Sequence, residues 1–302
     1  MPLTSSPPIV VGLGEAVWDI FPESRRPGGA PANVAFQADQ LGAKGVVLSR
    51  IGTDDLGQEI REYLEPKGLD TSYLQVDTEH GTGRVTVDTS DPGHPRYVIH
   101  EGVAWDYISA TDGFLRLADQ AAAVCFGTLA QRSPVSRDSI QQFIRRTRGL
   151  VVFDVNLRQK WYDHESLDLS LQRSSIVKLN IDELEPVSEV LGLQHASERV
   201  FANSIRERYP IDTVIITRAE KGCFVASGNE VVEVPGVKAN VVDAVGAGDA
   251  FTAAFILLSL EGRPLELRTQ FANRVGGIVV ERPGAMPDVR REYALLRQEF
   301  GL

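Results

Sequence analysis

Two glycines and an aspartate precede a strongly apolar stretch in the last third of the chain. Gly246 and Gly248 flank Ala247, Asp249 follows at once, and the apolar stretch predicts a helix over residues 249–260. Glycines directly before a helix leave backbone N–H groups free to converge on an anion at its positive end. A hydroxyl held there would meet a phosphate beside a carboxylate that can take its proton. The alternative is that Asp249 only caps the helix.

A second glycine pair precedes a predicted helix near the amino terminus. Gly28 and Gly29 allow the backbone to approach a ligand closely. A proline near its start and a glycine just beyond its end delimit a helix over residues 31–41. Asn33 lies in the first turn of this helix and can donate and accept hydrogen bonds, which suits a sugar hydroxyl. The alternative for Asn33 is a solvated polar residue.

The elements that position these residues alternate between apolar runs and helical patterns. Strands are predicted at residues 9–13, 46–51, 124–126, 151–155, 176–179 and 214–217. Apolar strands separated by helices indicate a mostly parallel sheet covered on both faces. The predicted fold class is therefore a single doubly wound α/β domain over residues 1–302. A hairpin of residues 223–226 and 231–234 is expected at the edge of the sheet.

Another hairpin interrupts this alternation. Residues 84–89 and 96–100 flank a turn-rich segment at 90–95, and the first of these runs alternates apolar and polar side chains, as a half-exposed strand does. We expect this hairpin to project from the main sheet as part of a small β lid. The lid is predicted to comprise about residues 14–27 and 83–108.

Two segments far apart in the chain resemble the signatures of one family. Residues 243–251 resemble the signature of the ribokinase-like (phosphofructokinase-B type) sugar kinases, and residues 28–35 with 50–57 resemble the amino-terminal signature of the same family. The resemblance implies that Asp249 is the catalytic base and that the Gly-Ala-Gly backbone before it forms an anion hole. Ala244 departs from the family pattern, which usually has threonine there.

A sugar-binding set is predicted on the lid side from the resemblance and from residue chemistry. It comprises Asp19, Gly28, Gly29, Asn33, Tyr97, Trp105 and Arg158. By resemblance Asp19 accepts two sugar hydroxyls, although by itself it could be a surface acid. Arg158 follows a strand, where α/β sheets place ligands, and would contact sugar or phosphate; the alternative is an ion pair with Asp154 or a neighbour. Tyr97 and Trp105 would either stack on a sugar ring or only pack the lid.

Two further segments are similar to cation-binding elements of the family. Asn180 and Glu183 resemble the element that organises Mg²⁺ through water near the phosphates, and amide and carboxylate oxygens suit magnesium. The alternative is a helix cap followed by a first-turn acid. Asp243, with backbone carbonyls within residues 279–284, resembles the monovalent-cation loop. The resemblance thus implies ATP and Mg²⁺, with K⁺ as an activator.

The nucleotide-binding residues are also carried over from the resemblance. Thr217 and Gly222 are similar to the nucleotide-side loop of the family, and Asn273 falls where the family lines its adenine pocket. With Gly246 and Gly248 they form the expected ATP-binding set.

Charge and composition restrict the partners. Against 31 basic residues stand 41 acidic ones, and the formal charge of −10 repels nucleic acid and anionic membranes, so neither is an expected partner. The first eight residues lack the pattern of a secretory signal, and no apolar run is long enough to span a bilayer. Cys125 and Cys223 lie in apolar runs and are expected to be small buried thiols in a reducing compartment. We therefore expect a cytoplasmic protein.

Two other classes of function are less consistent with the motifs. A dinucleotide-dependent oxidoreductase would need G-x-G-x-x-G after the first strand, and Gly12 and Gly14 begin that pattern but Val17 stands at its third position. A Walker A motif is also absent from the sequence. A catalytically silent sugar-binding regulator would be expected to have lost Asp249 or Gly248, and both are present.

Fructose is the first expected substrate, because residues 104–106 and 154–158 look fructokinase-like. A sugar acid such as 2-keto-3-deoxygluconate is the runner-up. Its kinases place an arginine after the lid tyrosine to meet the carboxylate, whereas no arginine follows Tyr97 here, which favours a neutral sugar. Ribose and nucleosides stay open as alternatives. Since lids of this family often form dimer clasps, we expect a homodimer through the lid.

Overall fold

The computed structural model describes residues 6–88 and 96–302. Its strands are β1 (Ile9–Leu13), β2 (Val17–Ile20), β3 (Arg25–Gly28), β4 (Lys44–Gly52), β5 (Leu74–Asp77), β6 (Gly83–Asp88), β7 (Arg96–Ile99), β8 (Ala123–Phe126), β9 (Leu150–Asp154), β10 (Ile176–Asn180), β11 (Thr213–Thr217), β12 (Cys223–Ser227) and β13 (Glu230–Val234). Its α-helices are α1 (Ala30–Gln40), α2 (Asp55–Leu64), α3 (Asp112–Gln120), α4 (Pro134–Arg146), α5 (His164–Leu171), α6 (Leu184–Leu191), α7 (Glu198–Arg208), α8 (Ala247–Leu260), α9 (Leu265–Val279) and α10 (Arg290–Glu299).

The main sheet has nine strands in the order β13-β12-β11-β10-β9-β8-β1-β4-β5. The strands from β11 through β5 pair in parallel, and the two antiparallel pairs of this sheet, β11–β12 and β12–β13, lie at one edge. The predicted parallel sheet and its edge hairpin are therefore confirmed. The order reverses direction at β1, and ligands of open α/β sheets bind at such a switch point.

Alternate residues of each strand face opposite hydrophobic layers. In β8, Val124 and Phe126 pack with helices α3 to α7, whereas Ala123 and Cys125 pack with α1, α8, α9 and α10. Both faces of a parallel sheet must be covered, so the strands are apolar throughout rather than alternating. Both Cys125 and Cys223 are buried free thiols, as predicted. None of the described helices combines the length and apolar character needed to cross a membrane.

The second sheet has four strands in the order β3-β2-β6-β7 and is separate from the main sheet. The β6–β7 pair is antiparallel, with Val87 opposite Tyr97, so the predicted lid hairpin is confirmed. Its turn, predicted at residues 90–95, lies outside the described residues. In β6 the even-numbered positions are exposed and Val85 and Val87 are buried, which is the alternation that the sequence predicts for a half-exposed strand.

Helix α8 begins two residues earlier than predicted. Gly246, with a φ of 82°, occupies the cap position, so Ala247 and Gly248 already belong to the first turn and Asp249 is the third helical residue. The left-handed conformation at Gly246 starts the helix, whereas the prediction counted helical residues only from the apolar run onward. Helix α1 begins at Ala30, within one residue of the prediction, because Gly29 caps it.

Candidate active site

The two signature segments meet where the first turns of α1 and α8 pack together. The Asn33 amide Nδ2 donates a 2.7 Å hydrogen bond to Asp249 Oδ2. Asn33 is 4% exposed, so it is not the solvated polar residue of the alternative interpretation. Two residues more than two hundred positions apart in sequence thus share one site.

The glycine loop in front of α8 has a shape that only small residues permit. A Cβ atom on Gly246 would lie 2.6 Å from the Ala285 Cα atom, and φ at Gly246 is positive, so glycine is required. The first amides of α8 have no acceptor within the helix and lie at the positive end of its dipole. Because Gly246 rather than Asp249 caps the helix, the capping alternative for Asp249 is wrong.

The electrostatics of Asp249 suit a proton acceptor near neutral pH. Surrounding protein atoms desolvate the carboxyl group and, with the negative charge of Asp154, raise its pKa to about 6, although the group keeps some exposure to the cleft. Lys178, the Asn33 hydrogen bond and Arg158 act in the opposite direction. A base whose pKa lies just below the working pH is ionised and still able to take a proton.

Asp19 lies on lid strand β2, beside the amino-terminal glycine pair. A Cβ atom on Gly28 would lie 3.2 Å from Asp19 Oδ2, so the glycine leaves that oxygen uncovered. Gly29 has a φ of 111°, and a side chain there would collide with the backbone of the loop after β1. Burial raises the pKa of Asp19, while Arg158 and Arg26 oppose that shift. Asp19, Gly28, Gly29 and Asn33 are therefore adjacent, as predicted.

The loop after β9 brings Arg158 and the lid strand together. Gln159 Nε2 donates a 2.8 Å hydrogen bond to the Tyr97 carbonyl oxygen, and the Tyr97 side chain is exposed. Arg158 is exposed and close enough to Asp249 to lower its pKa. The alternative ion pair between Arg158 and Asp154 is wrong, because Asp154 pairs with Lys178 instead.

The prediction that Trp105 stacks on a sugar ring is wrong. Trp105 is 1% exposed and belongs to the hydrophobic core beneath the lid, with the Arg132 guanidinium 4.0 Å from its ring centroid. A Cβ atom on Gly83 would lie 2.3 Å from Trp105 Nε1, so the indole fills the space that this glycine leaves. A buried ring offers no face to a ligand. Trp105 therefore only packs the lid, which is the alternative interpretation of this residue.

A cleft of about 470 Å³ opens on the other side of the glycine loop. Thr217, Gly222, Gly248 and Asn273 line it, so the structure brings four residues of the predicted nucleotide set together, whereas Gly246 is not part of the lining. Gly222 has a φ of 92°, and a Cβ atom there would overlap the edge strand β13, so it shapes the loop through its backbone. Asn273 Nδ2 donates a 2.9 Å hydrogen bond to the Pro235 carbonyl oxygen.

Asn180 and Glu183 form a reciprocal cap at the end of β10. Asn180 Oδ1 accepts from the amides of Asp182 and Glu183, and the Glu183 carboxylate accepts from the amides of Asn180 and Leu157 at 2.8 and 2.7 Å. Burial raises the pKa of Glu183. Within the described residues no three acidic, histidine or cysteine side chains are grouped to hold a metal directly. The remaining lone pairs suit a cation held through water.

Asp243 and the loop before α10 are also in contact. The amides of Val242 and Asp243 donate to the Val280 carbonyl oxygen at 2.8 and 3.1 Å, and Gly284 N donates to Asp243 Oδ2 at 3.0 Å. Arg26 of lid strand β3 also donates to Asp243 Oδ2, at 2.9 Å. The two segments of the predicted cation loop therefore meet, and the Arg26 guanidinium group contacts the Asp243 carboxylate.

Comparison with known proteins assigns the family. Residues 15–291 match the pfkB family of carbohydrate kinases. The chain belongs to this family. The kinase is 32% identical to the fructokinase of Escherichia coli over 292 residues, which cover 91% of this chain and 94% of that protein. It is also 31% identical over 285 residues to a sugar kinase of Pyrococcus horikoshii, with 91% of this chain and 87% of that protein covered.

Solved structures of similar proteins have the same fold. The complex of the Pyrococcus horikoshii sugar kinase with ATP superposes with a TM-score of 0.80 at 27% identity, covering 92% of this chain and 94% of that chain. A fructokinase double mutant from Vibrio cholerae, in a fructose-, ADP- and potassium-bound form, superposes with a TM-score of 0.80 at 23% identity, covering 97% and 99%. The present protein is an ATP-dependent sugar kinase.

Backbone strain in the kinase is concentrated around the site. Among the described residues, the non-glycine residues with positive φ are Asn156, Gln159 and Ala219. The first two lie in the loop that reaches the lid, and the third lines the nucleotide cleft. Such conformations cost free energy and persist where the surrounding structure imposes them, commonly at ligand-binding loops.

Sequence reasoning missed two buried charged groups of the kinase. Lys178 is 8% exposed and pairs with Asp154, and Glu15 is 4% exposed at the carboxyl end of β1. Glu15 Oε1 accepts a long 3.3 Å bond from the Ala30 amide, and burial raises its pKa to about 7. A charged residue within an otherwise apolar strand, as for Lys178, or just after one, as for Glu15, is the signal that could have revealed both.

Proposed function

We propose that this kinase phosphorylates a hydroxyl group of a neutral sugar, with fructose as the first candidate and Asp249 as the general base. The observation that carries the proposal is the position of Asp249. Its carboxylate is bonded to Asn33 on the sugar side, and it follows directly on Gly248, which lines the nucleotide cleft. Asp249 is the one acidic residue in the first turn of α8. It would therefore lie between the two substrates.

The proposed reaction is a direct transfer. The sugar hydroxyl loses its proton to Asp249 as its oxygen forms a bond to the γ-phosphorus of ATP. The bond from that phosphorus to the bridging oxygen breaks, and ADP leaves with the electron pair. Amides of the Gly246–Gly248 loop, at the positive end of α8, stabilise the negative charge of the transferring group.

The sugar contacts follow from the geometry of the lid. Asp19 would accept two sugar hydroxyls, since Gly28 leaves its Oδ2 uncovered. Asn33 orients Asp249 through the hydrogen bond from its Nδ2 and would also contact a sugar hydroxyl. Arg158 and Tyr97 would lie at the edge of the sugar site. Trp105 takes no part, because it is buried.

The nucleotide and cation contacts are proposed on the opposite side of the glycine loop. Thr217, Gly222 and Asn273 would hold ATP in the 470 Å³ cleft. Asn180 and Glu183 would hold Mg²⁺ through water, and the bound ion would neutralise phosphate charge. Asp243 would anchor the K⁺ loop. Loss of turnover in excess EDTA, and a higher rate in potassium than in sodium chloride, are the expected results.

Fructose is preferred for two reasons. The kinase is similar to fructokinases over nearly its whole length. The lid strand carries Val98 and Ile99 after Tyr97, with no arginine there to meet a sugar carboxylate.

A coupled ADP-release assay over fructose, 2-keto-3-deoxygluconate, ribose and a set of nucleosides tests the choice. The highest kcat/KM is expected for fructose. A kcat/KM at least about tenfold higher for 2-keto-3-deoxygluconate than for fructose would make the sugar acid the assigned substrate.

We also propose that the protein is a homodimer joined through the lid. Tyr97 and Val98 are large exposed hydrophobic residues on β7, the edge strand of the lid sheet. Sedimentation at micromolar concentration should give the mass of a dimer, and a monomer would contradict the proposal. Such an enzyme is expected in the cytoplasm.

A further inference from the structure

A buried ion pair lies directly beneath the glycine loop. Lys178 on β10 and Asp154 at the end of β9 stand opposite each other across neighbouring parallel strands. Lys178 Nζ is 3.1 Å from Asp154 Oδ1 and 3.0 Å from Asp154 Oδ2. The Thr252 hydroxyl oxygen of α8 lies 2.9 Å from the Gly248 carbonyl oxygen and 3.3 Å from Asp154 Oδ2, so its single proton is shared between these two acceptors and links the pair to the first turn of α8.

The ammonium group reaches the anion-binding loop itself. A Cβ atom built on Gly248 would lie 3.1 Å from Lys178 Nζ, so the absence of a side chain at Gly248 is what leaves this approach open. An ammonium group has three protons, and two of them satisfy the oxygens of Asp154. The third proton therefore remains to be shared with a ligand in the loop.

We propose that Lys178 is a further catalytic residue, whose ammonium group contacts the phosphoryl group during its transfer. The inference rests on the proposed reaction, in which Asp249 accepts the proton of the sugar hydroxyl. Lys178 exchanges no proton in this scheme. It stays charged while the oxygen–phosphorus bond forms and the bond to ADP breaks, and it stabilises the charge that develops on the phosphoryl oxygens. Asp154 and Thr252 are positioning residues that hold it.

The charges around Lys178 keep it protonated. Burial alone lowers the pKa of the ammonium group, but Asp154, Asp249 and Glu183 face it and together raise the pKa above its usual value. A positive charge at this position in turn lowers the pKa of Asp249, which Asp154 raises. Lys178 thus lies among the base, the proposed Mg²⁺ element and the anion loop.

The rival explanation is a purely structural pair. Buried ion pairs can often be replaced by neutral residues with little loss of stability, whereas removal of one partner leaves an uncompensated charge. Lys178→Met alone therefore does not separate the two explanations. The double variant Lys178→Met/Asp154→Asn does, because it removes the unpaired charge and the ammonium group together.

The test compares kcat and KM of the double variant, of Lys178→Met and of Lys178→Arg with wild type. We expect kcat of the double variant to fall by about 10²-fold or more, with KM for ATP within about threefold, because the lost contact forms only in the transition state. Lys178→Arg, which keeps the charge, should retain more activity than Lys178→Met. Lys44→Met, which breaks the exposed Lys44–Asp70 pair, is the matched control and should leave kcat unchanged.

Recovery of kcat to within about threefold of wild type in the double variant would overturn the role of Lys178. Thermal unfolding of each variant reports whether the fold is intact. If the double variant does not fold, Lys178→Arg decides: activity equal to that of Lys178→Met would overturn the inference.

Asp249→Asn in the same assay separates this inference from the proposed function. An inactive Asp249→Asn beside an active double variant would remove only the Lys178 role, whereas an active Asp249→Asn would remove the proposed function itself.

Discussion

The two sides of the glycine loop differ in the kinds of residue that line them. On the sugar side, charged and amide side chains are fixed by hydrogen bonds, such as the 2.7 Å bond between Asn33 and Asp249. On the nucleotide side, the cleft is lined mostly by apolar residues such as Val237 and Val280, with a few polar side chains such as Thr217 and Asn273 among them. The sugar side therefore supplies charge at defined positions, and the nucleotide side supplies shape. Substitutions on the first should change kcat, and substitutions on the second should change KM.

A large effect is expected where the two sides meet. Gly248→Ala places a Cβ atom 3.1 Å from Lys178 Nζ, the flexible end of a side chain, so the fold can adjust while the anion loop is crowded. We expect kcat to fall by about 10²-fold, the scale of losing one oxyanion contact. Steady-state kinetics measure it. Gly113→Ala in α3, where a Cβ atom meets nothing closer than 3.8 Å, is the control and should have wild-type kcat.

The pH dependence of the sugar side should follow Asp249. Its pKa is raised to about 6, and only the ionised carboxylate can accept a proton. As the pH falls below about 6, kcat/KM for the sugar should therefore fall by about tenfold per pH unit, and above it a plateau is expected. A pH–rate profile without a limb near 6 would contradict the assignment of the base.

The smallest effect is expected on the nucleotide side. Asn273 lines the cleft and donates to the Pro235 carbonyl oxygen. Asn273→Ala should raise KM for ATP by about three- to tenfold with little change in kcat, because it removes binding that substrate and transition state share. Its pH–rate profile should keep the limb near 6. A loss of kcat larger than the rise in KM would contradict the proposal that substitutions on the nucleotide side act mainly on KM.

The sequence predicted the elements well because each strand has its own local signal. Eight of the nine strands of the main sheet begin and end within two residues of their predicted positions, since apolar runs are bounded by turn residues; the edge strand β5 was not predicted. The sugar-side residues were also predictable, since glycine, asparagine and aspartate stand in compact motifs whose chemistry is local.

What the sequence could not give depends on contacts between distant segments. Lys178 meets Asp154 only because β9 and β10 pair in register, and nothing near either residue signals the other. The same pairing is why the alternative interpretation of Arg158, an ion pair with Asp154, was wrong. Trp105 was misassigned because an aromatic residue near a lid has the same local pattern whether it stacks on a ligand or fills the core.

Asp249→Asn tests the central claim most directly, because activity and stability should move in opposite directions. Asparagine cannot accept the hydroxyl proton, so kcat should fall by about 10²–10⁴-fold. The folded-state pKa of about 6 lies above the ordinary value of 3.8, so the ionised carboxylate costs stability above pH 6, and that cost fades as the pH falls toward 4. At pH 8 the free energy of unfolding should therefore rise by on the order of 1–2 kcal/mol in the variant.

The matched control is Asp112→Asn, an exposed aspartate in the first turn of α3, which should change neither quantity much. The decisive measurement is kcat of Asp249→Asn with its true sugar, beside urea unfolding at pH 8 and pH 4. A large loss of kcat with a more stable protein at pH 8 is the predicted result. Turnover within about threefold of wild type would contradict the assignment of Asp249 as the base.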